Sequence, residues 1–361
     1  MTGKKWFSIF IACFLAVLVL TGSVVAFVDP FFHYRGPRDF LYYRLYDQRS
    51  QNDGITRNFD YDAMITGTSM AENFKTSQFD ELFGTDSVKI VYSGATYKEI
   101  NDNLKRSFES GHALKYVFRP IDYSLLIKDK DEMRLDMGEY PEWLTNRIIF
   151  DDVKYLLNRD VIINYVLPTI LGYFKGTEPG VTSFDEYSYT GDDNVFSREN
   201  VLNGVESFDD PIKVNQTTND DILMVVGNVE QNIVSLAKEH PETTFIYFFP
   251  PYSMAYWGVV RNEGDLEKNL ELIRLSASLM AECDNIHVYC FAWQLDVTQN
   301  LDNYRDIAHY SPEINELIES EIAALENGGE DDLGLRVTSD NIDSYFDELL
   351  DFLENYDYNS L

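Results

Sequence analysis

Ser69, Asp306 and His309 are residue types that together can perform nucleophilic acyl chemistry. A serine hydroxyl attacks poorly until a neighbouring base removes its proton, and an imidazole is the base most often used. Asp306 stands three residues before His309. If that stretch is one helical turn, the carboxylate shares a face with the ring and holds it in one tautomer. Ser69 sits in GTSMAENF, directly after a short apolar run, at a strand-to-helix turn that would expose its hydroxyl. The same position suits an N-cap serine, and position alone favours the cap. The other histidines fit a base less well: His33 lies beside an apolar span, His112 and His240 near helix ends, and His287 inside a strand. No CxxC, HExxH or HxH cluster is present, so a metal centre is not expected, and acyl transfer through a serine requires no dissociable cofactor.

The elements that must position these residues follow from hydrophobic period. Short runs rich in Val, Ile, Phe and Tyr occur at 63–66, 88–92, 115–118, 244–249 and 286–291. Helix-period segments at 97–109, 221–239, 265–282 and 312–325 alternate with most of them. Such alternation predicts an α/β fold, a three-layer, doubly wound, mainly parallel sheet. Ligands of such sheets bind at the carboxyl ends of the strands. Those ends carry Gly67-Thr68-Ser69-Met70, Ser93-Gly94-Ala95, Arg119-Pro120-Ile121-Asp122 and Pro250-Pro251-Tyr252-Ser253, with Asp306 and His309 in the loop after the fifth run. An insertion at about 128–220, with helices expected at 142–157 and 161–174, far exceeds an ordinary connection and reads as a lid or subdomain over one edge of the sheet. Residues 326–361 are acidic, yet Ile342, Tyr345, Phe346, Leu349, Leu350 and Leu353 recur at helical spacing, which predicts an amphipathic helix.

The 361 residues correspond to about two domains at roughly 150 residues each. From Trp6 to Val28 no charge interrupts an apolar run that follows Lys4 and Lys5. It is longer than a secretory core and lacks a convincing A-x-A site, so residues 1–28 are read as a cytoplasmic stub and an uncleaved transmembrane anchor. The lysines predict an inward N-terminus and an extracytoplasmic C-terminal domain. Residues 29–60 read as an aromatic juxtamembrane connector, and 61–325 as the α/β domain. The net charge of −32 argues against nucleic acid, whose phosphates such a field repels. Cys283 and Cys290 are expected to be free buried thiols.

The order of G-x-S after the first strand, a glycine after the second and D-x-x-H near the end resembles the SGNH/GDSL hydrolase superfamily. The resemblance spans roughly 62–325. It implies a flavodoxin-like sheet with Ser69 as nucleophile, His309 as general base, Asp306 as its orienting carboxylate, and the amides of Ser69 and Gly94 in an oxyanion hole. With the N-terminal anchor, GTSMAENF, SGAT, PPYS and NYRDIAHYSPEIN look like membrane-anchored SGNH-like proteins of bacterial exopolysaccharide and teichoic-acid clusters. That implies an esterase or acyltransferase working on O-acyl groups, often acetyl, of cell-envelope polysaccharide, with a multipass membrane O-acyltransferase as a partner. Thr68 replaces the family's aspartate, and Ile121 stands where G-x-N-D would supply an asparagine donor. Asn73, four residues after Ser69, is the candidate substitute donor, or else a solvated helix residue. The missing asparagine also keeps open a non-catalytic glycan-binding or scaffold role. Asp122, Tyr252 and Tyr304 are candidate substrate-binding residues, with a turn former for Asp122 and core packing for the tyrosines as the alternatives.

Overall fold

The computed structural model describes residues 2–135, 141–146 and 148–361. The chain divides into two compact units, one from residues 2–60 and 135–183 and one from 61–134 and 184–361. This differs from the reading along the sequence. The segment 128–220 is not one body, and residues 29–60 belong to a packed unit together with 135–183 instead of forming a simple connector.

In the first unit the helix Gly3–Val28 has 26 residues, enough at ~1.5 Å each to exceed ~30 Å of hydrocarbon. Its most apolar 18-residue stretch has a mean hydropathy of 2.7 and is little buried, so the helix is long and apolar enough to cross a membrane and is not a core helix. Asp29 ends it in a left-handed conformation and accepts the N–H groups of His33, Tyr34 and Arg35 at 3.0, 2.9 and 3.2 Å, with the Tyr155 hydroxyl at 2.9 Å. A two-residue parallel ladder joins Tyr42–Tyr43 to Gly180–Val181. The helix expected at 142–157 is instead two short ones, Glu142–Thr145 and Val153–Leu156, and residue 147 lies outside the described residues.

The second unit is a mixed α/β body on a six-stranded sheet. Its strands are β1 (Ala63–Gly67), β2 (Ser87–Val91), β3 (Tyr116–Pro120), β4 (Thr244–Phe249), β5 (Ile286–Cys290) and β6 (Arg336–Val337). They lie in the order β2-β1-β3-β4-β5-β6, all parallel except the two-residue edge strand β6. Every residue of β1 and β2 is buried, as expected when helices cover both faces. Right-handed crossovers send the helix Thr76–Phe83 to one face, where it packs on Pro312–Glu326. The reversed direction from β2 onward sends Tyr97–Glu109, Asn219–Val229 and Leu266–Ala281 to the other. A capping box of Thr96 and Glu99 fixes the start of the first of these. The acidic C-terminus forms the helix Ile342–Asn355, whose apolar stripe packs on Leu266–Ala281. Cys283 and Cys290 are buried and unbonded. The strand order reverses between β1 and β3, and a crevice opens at such a switch point beyond the carboxyl ends.

Candidate active site

Ser69 leaves β1 at that crevice. The turn Ser69–Ala71 is a single 3-10 turn, and its cap is Thr68, whose Oγ1 accepts the Met70 N–H at 3.3 Å. With the cap role taken by Thr68, the Ser69 hydroxyl is left to the His309 ring, 2.8 Å from Nε2. The other ring nitrogen, Nδ1, lies 2.8 Å from Asp306 Oδ2. Asp306 Oδ1 also accepts the N–H groups of Ala308 and His309, at 2.9 and 2.8 Å. Burial opposes the Asp306 charge, but the hydrogen bond and positive field of His309, with these two amides, outweigh it and hold the carboxyl down at about 2. An ionised carboxylate facing Nδ1 favours the proton there, and in the neutral ring Nε2 then presents its lone pair to the serine O–H.

Asp306 and His309 are not on a helical turn. Their loop is closed by a bridge between Tyr304 and Tyr310 and by the Arg305 N–H donating to the His309 carbonyl at 3.0 Å. The carboxylate bonds its own following amides and so meets the ring three residues on without helix geometry. Arg305 Nε stands 3.7 Å from Asp306 Oδ2.

Gly94, after β2, lines a cavity of about 250 Å³ together with Ser69, His309, Asp122, Tyr252 and Tyr256. Its N–H and that of Ser69 make no hydrogen bond among the described residues. Its φ is 63°, and a Cβ there would stand 1.3 Å from Arg134 Nη1, which donates to the Ser93 carbonyl at 3.2 Å. Only glycine fits. Asn73 does not line that cavity but a small pocket shared with Ser69, His309 and Arg305. Asn73 is buried, and its Oδ1 accepts the Thr190 N–H at 2.9 Å. A backbone N–H can bond only the amide's oxygen, so the Asn73 NH₂ points away from Thr190, and among the described residues it has no acceptor. This is not a solvated helix residue.

The remaining candidates separate. Asp122 is 5% exposed and does not cap the turn after β3; instead its two oxygens accept the Thr68 and Tyr252 hydroxyls at 2.9 and 3.0 Å. Burial pushes its carboxyl up, moderated by those two bonds. It braces the Ser69 turn while touching the cavity wall. Tyr252 lines the cavity, whereas Tyr304 is fully buried, lines neither pocket, and donates to the Pro251 carbonyl at 2.6 Å. Tyr304 is a loop fastener, because its hydroxyl ties to Pro251 while its backbone bridges to Tyr310. Ile121 is buried and continues the ladder through its N–H to the Phe248 carbonyl at 2.7 Å.

Sequence reasoning missed Lys89. It lies in the middle of β2, fully buried, with Nζ donating to the carbonyls of Glu72 and Phe74 at 2.6 and 3.0 Å, the two residues flanking Asn73. Burial lowers its ammonium to about 7. Glu319, from the helix Pro312–Glu326, is buried beside it with its carboxyl pushed up by burial. A lone charge within the run SVKIV was the available signal. Thr190 gave none, since it meets Asn73 from 117 residues away. No group of His, Cys, Asp and Glu suited to a metal ion occurs among the described residues.

Comparison with known proteins adds a distant likeness. A solved structure described as "a putative platelet activating factor from Streptococcus pneumonia" aligns at TM-score 0.38 and 12% identity, covering 78% of this chain and 90% of the other. No family model and no curated protein matches the sequence.

Proposed function

We propose that this protein is a membrane-anchored, extracytoplasmic serine esterase or acyltransferase acting on O-acyl groups, acetyl foremost, of cell-envelope polysaccharide. The observation that carries the reading is the unbroken relay from Ser69 Oγ through His309 to Asp306, both links at 2.8 Å. His309 takes the serine proton as Ser69 Oγ attacks the acyl carbonyl, and Asp306 steadies the imidazolium that results. The carbonyl oxygen becomes an oxyanion, for which the amides of Ser69 and Gly94 in the cavity are the candidate donors, with the NH₂ of Asn73 in the adjoining pocket beside Ser69 as a third. Collapse returns the proton to the leaving alkoxide and leaves an acyl-serine, which a sugar hydroxyl or water then resolves. Tyr252 and Tyr256, on the cavity wall, offer ring faces of the kind sugars stack on. The helix Gly3–Val28 holds the chain in the membrane with Lys4 and Lys5 inside, and a multipass O-acyltransferase is the natural acyl-handling partner in this reading.

The test uses the full-length protein in detergent with acetylated oligosaccharides, with and without an unacetylated acceptor. Mass spectrometry follows the acyl group. Free acetate marks an esterase and acetylated acceptor a transferase. No turnover across a range of acetylated glycans would favour the scaffold reading that the absent asparagine motivates.

A further inference from the structure

The unit built from residues 2–60 and 135–183 carries an apolar face beyond its long helix. A continuous helical stretch covers Arg159–Val161, a π-type turn at Ile162–Val166 and Leu167–Lys175. Along it Ile163, Leu167, Leu171 and Phe174, at steps of four, four and three, are 46, 46, 53 and 78% exposed. Val161 and Val166, off this stripe, are buried. A helix packed against protein on one side and water on the other should be polar on the second side. Here that side is apolar.

The stripe is continuous with the apolar helix Gly3–Val28. The π-type turn and the helix Val153–Leu156 both pack on it, and a Cβ at Gly22 would touch Leu156 Cβ at 3.6 Å. Ile149 and Phe150, just before that short helix, are 81 and 91% exposed. A chain of rings links the two surfaces: Phe27 to Phe40 at 6.3 Å, Phe40 to Tyr173 at 6.0 Å, and Tyr173 to Phe174 at 5.5 Å. Arg38 Nε donates to the Phe27 carbonyl at 2.7 Å and its guanidinium sits 4.1 Å over the Phe27 ring, so charge and aromatics meet at the helix's end as they do at a membrane–water boundary. Lys154, Arg159 and Lys175, all exposed, flank the stripe, where long stems let ammonium and guanidinium groups reach headgroups. Charge partition agrees. Residues 1–60 and 135–183 hold 11 basic and 12 acidic residues, against 18 and 49 in the rest of the chain. The part bearing the apolar face is therefore the part that an anionic lipid surface does not repel.

We propose that this face, the stripe Ile163–Phe174 with Ile149 and Phe150, lies in the lipid bilayer's interfacial layer at the C-terminal end of the helix Gly3–Val28. The inference rests on the membrane-spanning reading of that helix and is independent of the chemistry at Ser69. The helical backbone satisfies its own hydrogen bonds at that depth.

The test is depth-resolved quenching on the full chain with its three cysteines replaced, reconstituted in vesicles of phosphatidylcholine and phosphatidylglycerol. A single environment-sensitive label is placed at L171C, F174C, V19C or D340C. Lipids carrying nitroxide on the acyl chain should quench labels at positions 171, 174 and 19 at least about threefold more than at 340. Quenching at 19 with 171 and 174 no better than 340 would overturn the proposal while leaving the spanning helix intact. No quenching at 19 would remove the anchor and the surface proposal with it. Shielding of 171 and 174 from aqueous iodide without lipid quenching would mean that a protein covers the face, and would also overturn it.

Discussion

Around Ser69 the sheet-bearing unit takes titratable side chains inside: Lys89, Arg119, Asp122 and Glu319 are each 5% exposed or less. The unit of residues 2–60 and 135–183 turns Phe150, Leu171 and Phe174 outward instead. Burying an ion costs several kcal/mol unless its hydrogen bonds are met, so such residues persist where they hold geometry that an apolar side chain cannot. Lys89 meets the carbonyls on either side of Asn73, and Asp122 meets the Thr68 hydroxyl beside Ser69. Outward rings and leucines carry the converse cost in water and none in lipid. Polarity that looks misplaced in a sequence thus marks, in one unit, the scaffold of a reaction and, in the other, the solvent the surface was built for.

The contrast breaks most sharply at the relay itself. Ser69→Ala or His309→Ala should lower acyl turnover by on the order of 10⁶, and Asp306→Asn by about 10⁴, with far-ultraviolet circular dichroism unchanged. A variant that keeps wild-type turnover on a verified substrate would remove its residue from the mechanism. Asn73→Ala comes next. Loss of one oxyanion donor is expected to cost about 10²–10³ in kcat with KM little changed, and a purely KM effect would make Asn73 a substrate contact.

Lys89 tests the buried-charge half of the comparison through pH. Its folded-state value is lowered to about 7, below the ordinary lysine value, so between the two the unfolded chain binds a proton that the native protein does not. Native stability then rises with pH across that window. The unfolding free energy from urea titration should rise from pH 7 to pH 10 in the wild type relative to Lys89→Met, whose Glu72 and Phe74 carbonyls lack the donor at every pH, by about 1–3 kcal/mol. A difference flat in pH would mean Lys89 keeps its proton. The smallest effect belongs to the outward face: Leu171→Ser should change the unfolding free energy in detergent by no more than about 0.5 kcal/mol, because more than half of the side chain is exposed. A shift of several times that would show Leu171 to be core.

Much of the sheet-bearing unit was legible because its signals are local. Runs expected at 63–66 and 244–249 are Ala63–Gly67 and Thr244–Phe249, and the rim assignment brings Ser69 to His309 across 240 positions. Hidden features depend on distant partners or minimal elements. The two-residue strand β6 has no period to read, and the Tyr42–Tyr43 pairing with Gly180–Val181 leaves no trace in either segment's pattern. For the same reason the insertion looked like one lid. Asp306 and His309 were found by spacing that suggested a helical turn, while a bridged loop supplies the contact. Tyr304, in a chain with 24 tyrosines, gave no sign of which way its ring faces.

Trapping the acyl-enzyme tests the central claim most directly. Full-length protein in detergent is mixed with an activated acetyl ester, quenched in acid within one turnover, digested, and mapped by mass spectrometry. The relay predicts one acetyl group on the peptide containing Ser69, present in wild type and lost in His309→Ala. Acetylation spread over surface lysines with Ser69 unmodified, or Ser69 acetylated equally in His309→Ala, would contradict a histidine-activated serine nucleophile.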